Sequence, residues 1–144
     1  LVEDESQVLQ QENVEAFETF ATAGDLGWTD YTVTARIKVL SGYGGLLGRF
    51  DKDGNTYLFD FGESTFAVWR RFAGGWTAIV PDTEFPFFYD TWHTVRLVFS
   101  GNQITLFIDG VQQGEPITDN LIGSGKMGFR TSYGSIRVDD VIVE

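Results

Sequence analysis

The stretch Tyr31-Thr-Val-Thr-Ala-Arg-Ile-Lys-Val39 decides the fold class. Its odd positions are aromatic or aliphatic, and its even positions are threonine, arginine or lysine. A period of two sends alternate side chains to opposite faces of an extended chain. The stretch therefore predicts a β-strand with one face in a core and the other in water.

Similar short runs follow at near-regular intervals, with turn residues such as Asp51–Asn55 and Asp109-Gly110 between them. We expect Ser41–Gly45 to break the first strand and Pro81–Asp90 to form a loop. Only Glu12–Phe20 could form a short helix. The further predicted strands are 46–51, 56–61, 65–71, 76–80, 92–99, 104–109, 111–114, 125–130 and 136–143, with weaker ones at 8–10 and 17–20. The pattern predicts an all-β, antiparallel, two-sheet jelly-roll sandwich.

The composition narrows the class of protein further. The chain has 144 residues, enough for one domain over residues 1–144, and no cysteine, which excludes disulfides and thiolate metal sites. Its net charge is −11, and its ten basic residues are scattered, which opposes binding to nucleic acid or to anionic membranes. No apolar run is long enough for a membrane span, so no membrane insertion is expected.

The alternation of side chains along three predicted strands indicates a candidate binding surface. If the apolar residues of the strands at 46–51, 56–61 and 65–71 face the core, four side chains share the opposite surface: Arg49, Asp60, Trp69 and Arg71. Tryptophan can stack on the apolar face of a sugar ring, and charged groups can hydrogen-bond its hydroxyls. The alternative is a cross-strand Arg49–Asp60 ion pair beside a partly buried Trp69.

Two aromatic residues extend this candidate site. Trp76 follows the Gly74-Gly75 turn, and Tyr133 lies in the Ser132–Ser135 segment. Each can form the rim of a ligand site, or cap one end of the core.

Eight short sequence segments occur in an order and at a spacing that resemble those of the concanavalin A-like, laminin-G-like jelly rolls. Within that group the chain is similar to the bacterial fructan-binding carbohydrate-binding modules. The segments are 27–39, 45–50, 55–58, 75–76, 91–96, 108–110, 125–130 and 138–141. The resemblance implies a lectin-like domain of an extracellular microbial protein, with a glycan as partner on the concave sheet face. It also implies a structural calcium ion, for which Asp139 and Asp140 are the candidate ligands.

Catalysis is not expected. Laminarinase-type hydrolases on this fold carry Glu-x-Asp-x-x-Glu on one strand, and no such motif occurs in this sequence. We therefore predict a non-enzymatic module.

One departure from the resemblance concerns the N-terminus. In similar domains one more strand precedes the segment that corresponds to Leu1–Gln10. The given sequence begins at that segment, so this strand is expected to be missing. An open sheet edge can pair with another chain. The alternative function is therefore a structural or adhesive subunit that self-associates by strand exchange, with Leu1–Gln10 and the Pro81–Asp90 loop as contacts.

Overall fold

The computed structural model describes residues 2–3, 6–7, 9–15, 17–86 and 89–144, and every regular element among them is a β-strand. The all-β prediction is confirmed, and the short helix considered at Glu12–Phe20 does not form in the described residues. The strands are β1 (Val2–Glu3), β2 (Ser6–Gln7), β3 (Leu9–Gln11), β4 (Thr19–Ala23), β5 (Tyr31–Phe50), β6 (Thr56–Phe61), β7 (Thr65–Phe72), β8 (Gly75–Glu84), β9 (Trp92–Ser100), β10 (Gln103–Ile108), β11 (Val111–Gln112), β12 (Ile117–Thr118) and β13 (Lys126–Val143).

Antiparallel pairing arranges most of these strands in two layers, while β1 and β2 form a separate two-stranded sheet. The first half of β5 pairs with β9, which continues through β10 to β11, and the second half of β13 pairs with β5 and β3. We call this the first layer. The second half of β5 pairs with β6, which continues through β7 to β8, and the first half of β13 pairs with β5 and β4. We call this the second layer.

The strands β5 and β13 pass through both layers without ending. The break predicted at Ser41–Gly45 is therefore wrong: the chain bends there and stays in the sheet. Gly42 has a φ of 60°, and a Cβ at this position would lie 2.0 Å from the Tyr133 carbonyl oxygen of β13. Only glycine lets the two backbones bend together at this distance.

The core lies between the two layers and uses the predicted alternation. Val33, Ala35, Ile37 and Val39 of β5 are all buried. They share one cluster with the inward residues of the other strands, among them Phe59, Phe61, Val95, Leu97, Phe99, Ile104, Leu106, Phe129 and Val138. Tyr57 of β6 meets Phe99 of β9 with ring centroids 6.0 Å apart, so the layers pack face to face.

The strand β8 forms one edge of the second layer and differs from its prediction. It extends to Glu84, so Pro81 lies inside a strand that was expected to end before it. An edge strand tolerates proline because one side of its backbone has no pairing partner.

In the described residues no helix has the length and hydropathy needed to cross a bilayer.

The prediction that Arg49 lies on the outer surface of the sheet is wrong. Its side chain is 2% exposed and lies at one end of the sandwich, not on the outer surface. The guanidinium donates to the carbonyl oxygens of Thr29, Gly101 and Ile122 and stacks on Phe99, with Cζ 4.9 Å from the ring centroid. A φ of 48° at Arg49 breaks the alternation of the strand and turns the side chain inward.

We predict that Arg49 is a structural residue. Arg49→Met should lower the free energy of unfolding by at least about 3 kcal/mol, because three carbonyl oxygens lose a charged donor. Urea unfolding measures the change. The matched control is Arg96→Met, which removes an exposed guanidinium stacked on Phe107 and should cost less than about 1 kcal/mol. Equal unfolding midpoints for the two variants would contradict this role.

Candidate functional site

The candidate site lies on the outward face of the second layer and begins with one row of paired residues. Strand register places Arg130 of β13 beside Gly45 of β5, and Gly45 beside Asp60 of β6. Because glycine has no side chain, the two charged side chains meet over the middle strand. Arg130 Nη1 lies 3.5 Å from Asp60 Oδ2.

A second carboxylate, that of Glu18, reaches this row from the side of β4. Glu18 lies one residue before β4 and accepts a hydrogen bond from Arg130 Nη2 at 2.9 Å. Its other carboxylate oxygen lies 3.8 Å from Arg71 Nη1 of β7. The side chains of Arg130, Glu18 and Asp60 are 10%, 14% and 13% exposed, so the network is largely withdrawn from water.

Aromatic rings lie against both guanidinium groups. The Cζ atoms of Arg130 and Arg71 are 5.4 and 5.7 Å from the Trp76 ring centroid, within the range of a cation–π contact. Trp69 lies on the same face, since it pairs with Ala78 and with the outward-facing Leu58.

Several of these residues line a shallow depression of about 230 Å³. It is lined by Leu58, Asp60, Trp69, Trp76, Arg130 and Ser132. The depression combines aromatic surface, a guanidinium, a carboxylate and a hydroxyl. Such a set can cover an apolar ring face and at the same time exchange hydrogen bonds with a polar ligand.

Burial raises the pKa of the Asp60 carboxyl group. Removal of its carboxylate from water raises its pKa from 3.8 to about 6, and Asp82 and Glu18 add repulsion in the same direction. The Arg130 guanidinium opposes the rise and does not cancel it.

Two polar atoms in the network have no protein partner. Asp60 Oδ1 and Arg130 Nε are buried and make no hydrogen bond. Buried polar atoms are nearly always paired in folded proteins, so an unpaired acceptor and an unpaired donor in one ion-paired network indicate a place for water or a ligand.

The structure brings together four of the six predicted ligand-binding residues. Asp60, Trp69, Arg71 and Trp76 share the outward face of the second layer. The ion pair considered between Arg49 and Asp60 does not form; the partner of Asp60 is Arg130.

The other two predicted residues lie elsewhere. Arg49 is buried at the end of the sandwich. Tyr133 is 58% exposed at the bend of β13 and packs edge to face on Phe17, with centroids 5.5 Å apart. It does not line the depression, and a role for Tyr133 in binding stays a prediction.

The predicted calcium ligands lie beside a cation. Arg36 Nη1 is 4.0 Å from an Asp139 oxygen and 3.6 Å from an Asp140 oxygen. Among the described residues no group of three or more acidic, histidine or cysteine side chains is placed to hold a metal ion. Calcium binding stays a prediction.

Sequence reasoning missed Arg130 and Glu18. For Arg130 a signal exists: Met127 and Phe129 point inward, so the alternation sends Arg130 outward. Its neighbour could not be predicted, because β13 pairs with a strand some eighty residues earlier. Glu18 lies just outside a short edge strand whose sequence shows no clear alternation.

The strand order and the two packed layers define a lectin-type β-sandwich. A family model described as the concanavalin A-like lectin/glucanases superfamily matches residues 15–133, and the chain belongs to that superfamily. No curated protein sequence matches the chain.

Solved structures show the same architecture. The carbohydrate-binding module CBM66 from Bacillus subtilis superposes with a TM-score of 0.79 at 18% identity, over 94% of this chain and 85% of that one. Chicken galectin 2 gives 0.61 at 20% identity, over 89% and 98%. A xylan β-1,4-xylosidase from Bacillus halodurans gives 0.66 at 9%, over 95% of this chain and 32% of the enzyme. The sandwich therefore occurs in binding modules, lectins and enzymes.

We predict a pH dependence of stability that depends on Asp60. The folded chain keeps the Asp60 proton up to about pH 6, whereas the unfolded chain loses it near pH 4. The contribution of Asp60 is therefore fully present below about pH 4 and is lost as the pH rises through about 6. As the pH rises through this range, the free energy of unfolding of Asp60→Asn should increase relative to that of the wild type by up to about 3 kcal/mol.

Urea unfolding at a series of pH values tests this prediction. Asp53→Asn, which changes an exposed carboxylate, serves as the control and should keep a nearly constant difference from the wild type. A constant difference for Asp60→Asn as well would show that burial does not raise the pKa of Asp60.

Proposed function

We propose that this chain is a non-catalytic carbohydrate-binding module that holds a neutral glycan in the depression on the second layer. One observation carries the proposal: Trp69 and Trp76 line the same depression as the Arg130–Asp60 pair. A sugar needs both kinds of group, since its C–H faces are apolar and its hydroxyls donate and accept hydrogen bonds.

The names of the structural neighbours support this choice. A carbohydrate-binding module and galectins share the fold over most of their own length, whereas the xylosidase matches over about a third of its chain. Extracellular location is part of the same proposal and follows from the resemblance to microbial modules.

The carboxylates support a non-catalytic role. Hydrolysis of a glycosidic bond generally needs two carboxyl groups that flank the bond. Of the described residues that line the depression, only Asp60 carries a carboxyl group. Glu18 is the second acid of the network, and its two carboxylate oxygens are engaged by Arg130 and Arg71.

The charges favour a neutral sugar over an acidic one. Arg130 is paired with Glu18 and Asp60, and Arg71 is paired with Glu18. Asp82 adds a third negative charge close enough to raise the pKa of Asp60. A sugar carboxylate would therefore find both guanidinium groups already compensated, and would meet repulsion from the acids.

Affinity electrophoresis of the purified chain tests the proposal. The gels contain inulin, levan, xylan or galactan as neutral polymers, and alginate or polygalacturonate as anionic ones. We expect retardation by at least one neutral polymer and none by the anionic ones. Retardation by the anionic polymers alone would contradict the neutral class, and no retardation in any gel would remove the proposed function.

A tryptophan variant tests the location of the site. Trp76→Ala should weaken binding at least about tenfold, because the ligand loses a stacking surface and Arg130 loses its ring contact. Trp92→Ala is the matched control: Trp92 lies on the first layer between Arg36 and Lys38, far from the depression in the strand order. Equal losses in both variants would indicate a general effect on folding, and no loss in Trp76→Ala would place the site elsewhere.

Calcium is a separate proposal for Asp139 and Asp140. The binding measurement is repeated with added calcium and with a chelator, together with thermal unfolding. If calcium is bound there, chelation lowers the unfolding temperature of the wild type and does not change that of Asp139→Asn. Identical unfolding curves for the wild type with calcium and with chelator would reject the site.

The alternative, a subunit that assembles through an open edge, stays a prediction. The described edge strand β8 does not favour it. Its Pro81 has no backbone N–H to donate, and Asp82 and Glu84 on this edge strand are exposed. Proline and charge on an edge strand oppose pairing with another strand. The Leu1–Gln10 segment and the Pro81–Asp90 loop lie only partly within the described residues.

A further inference from the structure

The face that carries the depression continues past Ser132 toward an aromatic residue. Register pairs Arg130 with Gly45 and, two residues along both strands, Ser132 with Tyr43. Residues two apart on a strand point to the same side. Since Ser132 lines the depression, Tyr43 lies beside it on the same face.

Tyr43 is held against the sheet with half of its surface in water. The side chain is 50% exposed. A Cβ at Gly62, two residues after Asp60, would come within 2.8 Å of the Tyr43 Cε1 atom. The ring therefore lies in the space that any larger residue at position 62 would fill, and it presents an aromatic surface next to the depression.

The spacing suits a sugar chain. Two residues along a strand span about 7 Å, which is comparable with the length of one sugar unit in a polysaccharide. A glycan with one ring in the depression can therefore place its neighbouring ring on Tyr43, with its C–H face against the aromatic ring.

We propose that Tyr43 forms a second sugar subsite, so that the module binds a chain of at least two sugar units along β5 and β13 and not a single terminal sugar. The inference rests on the proposed function. It assigns chain-length selection to Tyr43 and recognition of the first ring to the depression.

Isothermal titration with fructose, xylose and galactose, each with its disaccharide and tetrasaccharide, tests the inference. For the series that binds, the wild type should bind the tetrasaccharide about tenfold more tightly than the monosaccharide. Tyr43→Ala should reduce this ratio to within about twofold and leave the affinity for the monosaccharide unchanged. Tyr43→Phe keeps the ring and should keep the ratio.

Control variants separate this role from a loss of fold. Tyr43→Leu keeps apolar packing against Gly62 without an aromatic face and should behave like Tyr43→Ala. Phe107→Ala removes a ring from the outer face of the first layer and should keep the wild-type ratio.

The possible outcomes distinguish the two proposals. Equal affinity of the wild type for monosaccharide and tetrasaccharide would overturn the second subsite and leave the first intact. A parallel loss of both affinities in Tyr43→Ala would also overturn it. Failure of every sugar to bind would overturn the proposed function together with the inference.

Discussion

The pairing of β5 with β13 is the constraint on which the rest of the structure depends. The two strands are 20 and 18 residues long, and they stay hydrogen-bonded to each other on both sides of a bend. Because each strand belongs to both layers, the layers cannot shift independently. The same pairing places Arg130 across Gly45 from Asp60, and Tyr43 across from Ser132, so the candidate site follows from the register of the central pair.

The outer face of the second layer is an unusual surface, because apolar residues on it are buried. Leu47 and Leu58 point away from the core and are 0% and 1% exposed. Leu58 lies at the base of the same depression that Trp76 and Arg130 line, so polar and aromatic side chains surround an apolar one on this face. Apolar side chains could replace the polar ones with no loss of stability, since buried ion pairs contribute little net free energy. In the proposed function, these polar groups and their unpaired atoms bind the hydroxyls of the glycan.

The fold could be predicted to a large extent, and the site only in part. Alternation in Tyr31–Val39 and in the later runs correctly indicated the inward residues, because a half-buried strand needs a period of two. Parity also placed Asp60, Trp69 and Arg71 on one face. It failed at Arg49, where a positive φ ends the alternation, and the residue that takes its place beside Asp60 comes from β13. Which distant strand lies next to β5 depends on the packing of the whole sheet, and local patterns do not contain that information.

The sequence by itself determined the class of the structure: strands of period two, turns rich in glycine and aspartate, a core without cysteine, and an acidic surface. These are properties of short segments, and short segments report them reliably. Only the tertiary structure decided which charges meet. Arg130, Glu18 and Arg71 come from β13, from the residue before β4 and from β7, and the curvature of one layer brings them within hydrogen-bonding or ion-pairing distance. The desolvation of Asp60 follows from that meeting, because burial is a property of the assembled face and not of any one strand.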